Sequence, residues 1–280
     1  MDGIILINKE KNMTSRDVVN MVCKKLNTRR VGHTGTLDPL ATGLMVLCIG
    51  DALKLVELLT GHDKDYVAKV KLGLKTDTYD ITGKILEENN NYHLEKLELL
   101  KVLNSFNGEY NQEVPPYSSV KVNGKKLYEY ARNGENVTLP KHLVKIKNLQ
   151  LLDFNSDSFT FSVTVSSGTY IRSLINDIGC KLNILMTMEE LQRTRVGNFY
   201  LENATDVNNL QIIPIIDALP IKKVEVKEPF LKKISNGVKI KNIYEEEMVM
   251  FTNDNQPISI YRDMGNNMMK SYRVFDKKNC

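Results

Sequence analysis

No apolar run in this chain of 280 residues approaches the ~20 residues that a membrane-spanning helix requires; segments such as Leu44–Ile49 are far shorter. A secretory leader is not expected either. Met1–Asn8 is apolar, but Asp2 stands where a basic start belongs and no small-residue cleavage site follows, so the segment reads as a strand. A cytoplasmic protein is expected. The four cysteines, Cys23, Cys48, Cys180 and Cys280, include no C-x-x-C pair and have no histidine cluster beside them. Neither a metal site nor a disulfide framework is therefore expected, and three of the four read as small core residues among apolar neighbours. Internal repeats, low-complexity tracts and nucleotide-binding signatures are absent as well.

What is present is the balance of an ordinary globular protein, with 42% apolar and 26% charged residues. The length allows one large domain, or one with a small companion. A net charge of +4 says little alone; its clustering says more. Lys24, Lys25, Arg29 and Arg30 form one group, Lys121, Lys125 and Lys126 a second, and Lys141, Lys145 and Lys147 a third. Such groups suit a polyanion, and solvated lysine faces are the competing reading.

Gly3–Asn8 reads as a buried strand. Thr14 or Ser15 then caps a helix running to about Asn27, with Asp17 in its first turn and Val18, Val19, Met21, Val22 and Leu26 on its apolar face. A loop from Arg30 to Gly43 leads into the strand Leu44–Ile49. A short helix over Ala52–Thr60 and a strand over Tyr66–Leu72 follow. Thr76–Gly83, rich in turn formers, reads as a solvent-facing loop. Helices are expected over Leu94–Leu103, Leu127–Arg132 and Tyr170–Leu182, and Ser158–Ser166 alternates as a strand with Phe159, Phe161, Val163 and Val165 on one face. Strands and helices mix without a regular βαβ rhythm, which predicts an α+β fold. Beyond Pro220 come a short helix over Pro229–Ile234 and strands including Met248–Phe251 and Ile258–Tyr261. The domains are expected at 1–225 and 226–280.

The informative stretch is Gly32–Gly43, GHTGTLDPLATG. Its glycines leave backbone open to close approach by a ligand. Asp38 precedes a proline, which holds its backbone extended and its carboxylate in a fixed direction; the competing reading is an Asp-Pro turn starter. The segment resembles the signature of the tRNA pseudouridine-55 synthase (TruB) family, whose catalytic aspartate lies in a G-H-T-G-x-L-D-P-x-A-T-G run. Further blocks are similar to that family and arrive in its order over about residues 3–199: Gly3–Lys9 with Met13-Thr14-Ser15; Lys64-Asp65-Tyr66 with Thr76–Asp80; Pro115–Lys121 with Gly124–Arg132; Ser167–Leu174; and Leu191–Gly197. After Lys9 the family usually has proline and, two positions on, glycine, where this chain has Glu10 and Asn12.

The resemblance implies a pseudouridine synthase domain built on a mixed, largely antiparallel sheet with flanking helices, followed by a small β-rich, PUA-like RNA-binding domain. It implies a monomer acting on the T-stem-loop of tRNA, with no membrane, obligatory protein partner or cofactor. Making pseudouridine breaks the N1–C1′ bond, turns the uracil over and joins C5 to C1′, with no oxidation or hydrolysis. Asp38 is the implied nucleophile or base, and a partner cation is expected to keep it ionised; Arg172 fits that role, or binds phosphate. Tyr66 offers the uracil a flat face and a hydroxyl, or covers core. Tyr170 and Leu191 line the pocket, or pack in the interior. His33 fills the gap left by the extracted nucleotide, and Lys9 supports the wall or ends the first strand. The target base must be swung out of its loop before chemistry. Two other readings compete. A non-catalytic RNA-binding protein would keep the basic clusters without needing Asp38. A glycoside hydrolase would need two carboxylates flanking the bond.

Overall fold

The computed structural model describes residues 1–275; Cys280 lies outside them. Ten strands form the large sheet. The hydrogen-bonded path runs Ile212–Ile213, Gly3–Lys9, Thr42–Ile49, Met186–Val196, Lys64–Leu72, Ser158–Val165, Lys141–Phe154 and Gly108–Glu113. Val31–His33 joins beside Thr42–Ile49, and Phe199–Tyr200 beside Met186–Val196. One contact in this sheet is parallel, Gln192 and Arg193 against Thr42 and Gly43; the other pairings are antiparallel. The α+β expectation holds.

Burial follows the residue pattern. Lys64–Leu72 alternates buried and half-buried, because one face meets the core and the other faces out. Gly3–Lys9 and Thr42–Ile49 are apolar almost throughout because both their faces are covered. Ile5, Ile7, Met45 and Leu47 join the core that holds Val18, Val22, Leu174 and Ile178 from the flanking helices. Ile4, Leu6, Leu44 and Val46 pack on the opposite side with Leu55, Leu59, Phe199 and Leu219.

The first helix spans Ser15–Lys25. Thr14 caps it: its hydroxyl accepts from Asp17 N–H while the Asp17 carboxylate accepts from Thr14 N–H. Met21 is exposed, so the apolar face is narrower than expected. The expected helix over Ala52–Thr60 is a 3-10 turn, Gly50–Leu55, followed by a helix at Val56–Thr60. The loop before Gly43 begins with the strand Val31–His33. Of the cysteines, Cys48 is buried, Cys23 half-buried and Cys180 exposed, the last because it lies on the solvent side of the helix Ile171–Leu182. Asn12, where the family has glycine, adopts φ 66° and its N–H donates to Pro39 O at 2.8 Å. Asparagine is among the few side-chain-bearing residues that take this left-handed geometry readily, so the turn survives.

A second, five-stranded sheet runs Lys222–Glu225, Met248–Asn253, Gln256–Asp263, Met268–Val274 and Ile240–Lys241, with the helix Phe230–Ser235 beside it. Met250, Ile260 and Phe275 pack onto the large sheet's second core, and Arg273 ties the two by pairing with Glu57 at 2.6 Å and donating to Lys54 O at 2.8 Å. Among the described residues no helix is long and apolar enough to cross a membrane.

Candidate active site

Asp38 sits on the loop between the strands Val31–His33 and Thr42–Ile49, with its side chain 37% exposed. Arg172, at the start of the helix Ile171–Leu182, is almost wholly buried and grips it in a two-pronged pair: Nε donates to Oδ2 at 2.8 Å and Nη2 to Oδ1 at 3.1 Å. The guanidinium also donates to Thr78 O at 2.9 Å and Tyr117 O at 3.1 Å. A planar fork held by four such bonds has little freedom, and the carboxylate inherits its direction.

Around the pair lies a cavity of about 280 Å³, lined among others by Tyr66, Tyr170, Leu191, Lys64 and Arg193. Tyr66 reaches it from the inner face of Lys64–Leu72, and Leu191 from the neighbouring strand at the register Leu191–Ala68. Tyr170 is fixed through its main chain: its N–H donates to Gln112 Oε1 at 2.8 Å and its carbonyl accepts from Gln112 Nε2 at 3.1 Å. Burial raises the Tyr170 phenol above its ordinary value. The structure thus brings Asp38, Tyr66, Tyr170, Arg172 and Leu191 to one hollow.

His33 and Lys9 are not among the residues lining it. His33 pairs with Leu47 at the edge of the sheet and has an unpartnered, buried Nδ1. Burial, then Arg16 and Arg193, lowers its affinity for a proton. Lys9 is fully buried, donating to Met13 O at 2.7 Å, Glu10 O at 2.9 Å and Pro39 O at 3.3 Å, which braces the loop one residue past Asp38. Burial pushes its ammonium down to about 8, against a smaller opposing pull from Asp38.

Several participants fell within blocks similar to the family, yet their own part in the site was not expected. Thr76–Gly83 faces solvent only at Ile81 and Thr82: Thr76 and Asp80 are buried, and Thr78 supplies a carbonyl to Arg172. Its turn formers satisfy one another, Asp80 Oδ1 accepting from the Thr78 hydroxyl and from Thr82 N–H, each at 3.0 Å. Asp80 Oδ2 lies 4.0 Å from Arg172 Nε, and Asp77 accepts from the Tyr117 hydroxyl at 3.0 Å. Tyr79 between them holds φ 63°, a geometry rare outside glycine and asparagine. Arg193, 1% exposed, donates to Leu44 O at 2.7 Å, Gly35 O at 3.1 Å and Thr36 O at 3.2 Å, so it clamps both limbs of the Asp38 loop.

The basic clusters are partly neutralised. Arg30 pairs with Asp51, Lys125 with Glu135, Lys145 with Glu109 and Lys147 with Asp63. In the second cluster Lys125 and Lys126 also lie over the rings of Tyr130 and Tyr128. Among the described residues no group of three or more histidine, cysteine or acidic side chains could hold a metal ion.

The mixed sheet is that of the pseudouridine synthase fold, and the aspartate–arginine hollow lies beside it. In fold the chain is similar to a chain of a Cbf5-Nop10-Gar1 complex, with TM-score 0.74 at 22% identity over 98% of this chain and 85% of that one. It is likewise similar to a chain of an H/ACA RNP bound to a substrate RNA containing 2′-deoxyuridine, with TM-score 0.73 at 21% identity over 99% and 86%. In sequence, residues 23–171 match the N-terminal domain of TruB family pseudouridylate synthases. A tRNA pseudouridine synthase B of Clostridium tetani is 44% identical over 250 residues, 86% of each chain, and one of Mesoplasma florum 38% identical over 277 residues, 97% of each. The chain belongs to the TruB family of pseudouridylate synthases. It is an isomerase.

Proposed function

We propose that this enzyme converts uridine 55 in the T-loop of tRNA to pseudouridine, with Asp38 as its catalytic carboxylate and no cofactor. The observation that carries the reading is the two-pronged Arg172–Asp38 pair opening onto a hollow walled by Tyr66, Tyr170 and Leu191. The relatives named as tRNA pseudouridine synthases support the substrate. The reaction rearranges bonds within one nucleotide, so a fixed carboxylate, an aromatic wall and shelter from water suffice. Asp38 acts as nucleophile or base once the uridine is flipped out of its loop, because its target atoms are out of reach inside a stacked loop. Arg172 keeps the carboxylate aimed, Tyr66 and Tyr170 bracket the uracil, and Leu191 shapes the floor. Lys9 braces the loop from below. His33, on the strand leading into that loop, fills the space that the extruded nucleotide leaves.

The hydrolase reading lacks a second carboxylate on the hollow, since Asp80 faces Arg172 and does not line the cavity. We further propose that residues up to about 221 form the catalytic domain, a few residues short of the expected boundary because the strand Lys222–Glu225 pairs with Met248–Asn253, and that the small five-stranded unit is a PUA-like aid to RNA binding. The protein acts in the cytoplasm as a monomer without an obligatory protein partner. The test is Asp38→Asn. Tritium release from C5-labelled uridine in unmodified tRNA is expected to vanish while tRNA binding is largely kept. A variant that still makes pseudouridine sinks the assignment, and wild-type protein that binds without turnover points to a non-catalytic RNA-binding role.

A further inference from the structure

Four charged residues line the catalytic cavity: Asp38, Lys64, Arg172 and Arg193. Asp38 and Arg172 neutralise one another, which leaves two cations. Lys64 is 8% exposed and donates to Thr60 O at 3.0 Å and His62 O at 2.9 Å, so one of its three N–H groups is uncommitted. The neighbouring acids are already engaged: Asp63 with Lys147 at 2.6 Å and Asp65 with Arg195 at 2.6 Å. Arg193 spends its fork on three backbone carbonyls. The two cations flank the same point of the loop, because a Cβ placed on Gly35 would lie 3.6 Å from both Lys64 Cε and Arg193 Nη1. Burial, and next the repulsion from Arg193, pushes the Lys64 ammonium down to about 8.

Two adjacent buried cations with no acid of their own are costly to fold. A ligand that brings the missing negative charge offsets that cost on binding. Uracil is neutral and cannot do so, whereas every extruded nucleotide arrives with phosphodiesters on both sides. The hydroxyl-bearing residues Thr60, Ser167 and Thr169 line the same hollow and suit phosphate oxygens.

We propose that Lys64, with Arg193 behind it, forms an anion subsite for a backbone phosphate of the nucleotide being modified. The cavity then holds that nucleotide at two points, its base near Asp38 and its phosphate at Lys64. This rests on the RNA-modifying reading of the same cavity.

The test uses T-stem-loop RNAs carrying one neutral methylphosphonate, either 5′ or 3′ to the target uridine, with single-turnover rates measured at graded enzyme concentration. With the parent enzyme, one of the two substitutions raises the half-saturating concentration on the order of tenfold, and Lys64→Met does the same on unmodified RNA. Combining them adds no more than about twofold, since both remove one interaction. Lys64→Arg keeps the parent's affinity and its sensitivity to the methylphosphonate. Losses that multiply at both positions, or Lys64→Met binding like the parent, overturn the proposal. Acylation of Lys64 at pH 8, read by peptide mass on the unmutated enzyme, gives a second measurement that does not depend on a variant folding. Unmodified RNA should protect Lys64 and the sensitive methylphosphonate RNA should not; equal protection by both overturns the subsite. If the parent makes no pseudouridine even in unmodified RNA, the underlying activity fails instead, which is a separate result.

Discussion

Replacing Arg172 by lysine keeps the positive charge and removes the fork, which isolates what the geometry contributes. Arg172 makes four hydrogen bonds, two to the Asp38 carboxylate and one each to Thr78 O and Tyr117 O. An ammonium projects its donors from a single point and cannot reach acceptors spread along a planar guanidinium, so at least two of these partners lose their bond. A buried acceptor left unpaired costs about 1–3 kcal/mol. Because the Asp38 side chain is 37% exposed, water takes over part of its share. The sum is a loss of about 2–4 kcal/mol, at roughly 2–4 °C per kcal/mol for a domain of this size, which lowers Tm on the order of 5–10 °C. The larger effect falls on turnover. A reacting group displaced by about 1 Å loses roughly 10²-fold in rate, so Arg172→Lys should lower single-turnover tritium release by about that factor. The half-saturating tRNA concentration should change no more than about threefold, since Arg172 spends its hydrogen bonds on acceptors within the protein. A folded Arg172→Lys enzyme that turns over within about threefold of the parent refutes the idea that the fork aims Asp38.

Other substitutions probe the loop and its surroundings. Gly43 has φ 102°, and a Cβ there would lie 2.3 Å from Arg193 O, so Gly43→Ala should cost upwards of about 3 kcal/mol in denaturant melts and abolish turnover. Asn12→Gly should leave stability within about 0.5 kcal/mol, whereas Asn12→Ala should lose about 1 kcal/mol, because alanine resists the positive φ. Equal melts for the two would show that the turn does not need that geometry. Asp177 accepts from the Tyr110 hydroxyl at 3.2 Å, and burial raises its carboxyl from 3.8 to about 6. The folded chain therefore holds this proton more tightly than the unfolded chain. The stability this contributes is complete below 3.8 and is lost as pH rises through about 6. Asp177→Asn should stabilise the enzyme at pH 7 and lose that advantage near pH 3.5; a pH-independent difference would refute it.

Much of the fold was legible because period and burial agree. The strand from Ser158 reads as alternating Phe159, Phe161, Val163 and Val165, and all four are buried. The cap at Thr14 also behaves as its residue type dictates. Thr76–Gly83 misleads because polarity alone does not distinguish a loop that faces water from one whose polar atoms serve each other and an arginine. Arg193 was hidden for a related reason. Arginine is rarely buried, and no local pattern marks one that spends its charge on backbone carbonyls of a loop far away in the chain. Asp38 stood out through its glycine-flanked Asp-Pro run. The gathering of Tyr66, Tyr170, Arg172 and Leu191 around it depends on strand order, which residue spacing does not carry. The basic clusters were visible as runs, but their partners Asp51, Glu109 and Asp63 lie far off in sequence.

The parallel contact of Gln192 and Arg193 with Thr42 and Gly43 has an effect on how the enzyme comes into being. Asp38 leaves the ribosome early, yet the arginine that locks its loop is made about one hundred and fifty residues later. A nascent chain halted before that strand carries the Asp38 loop without its brace. The last piece of the scaffold around Asp38 is therefore added late in synthesis.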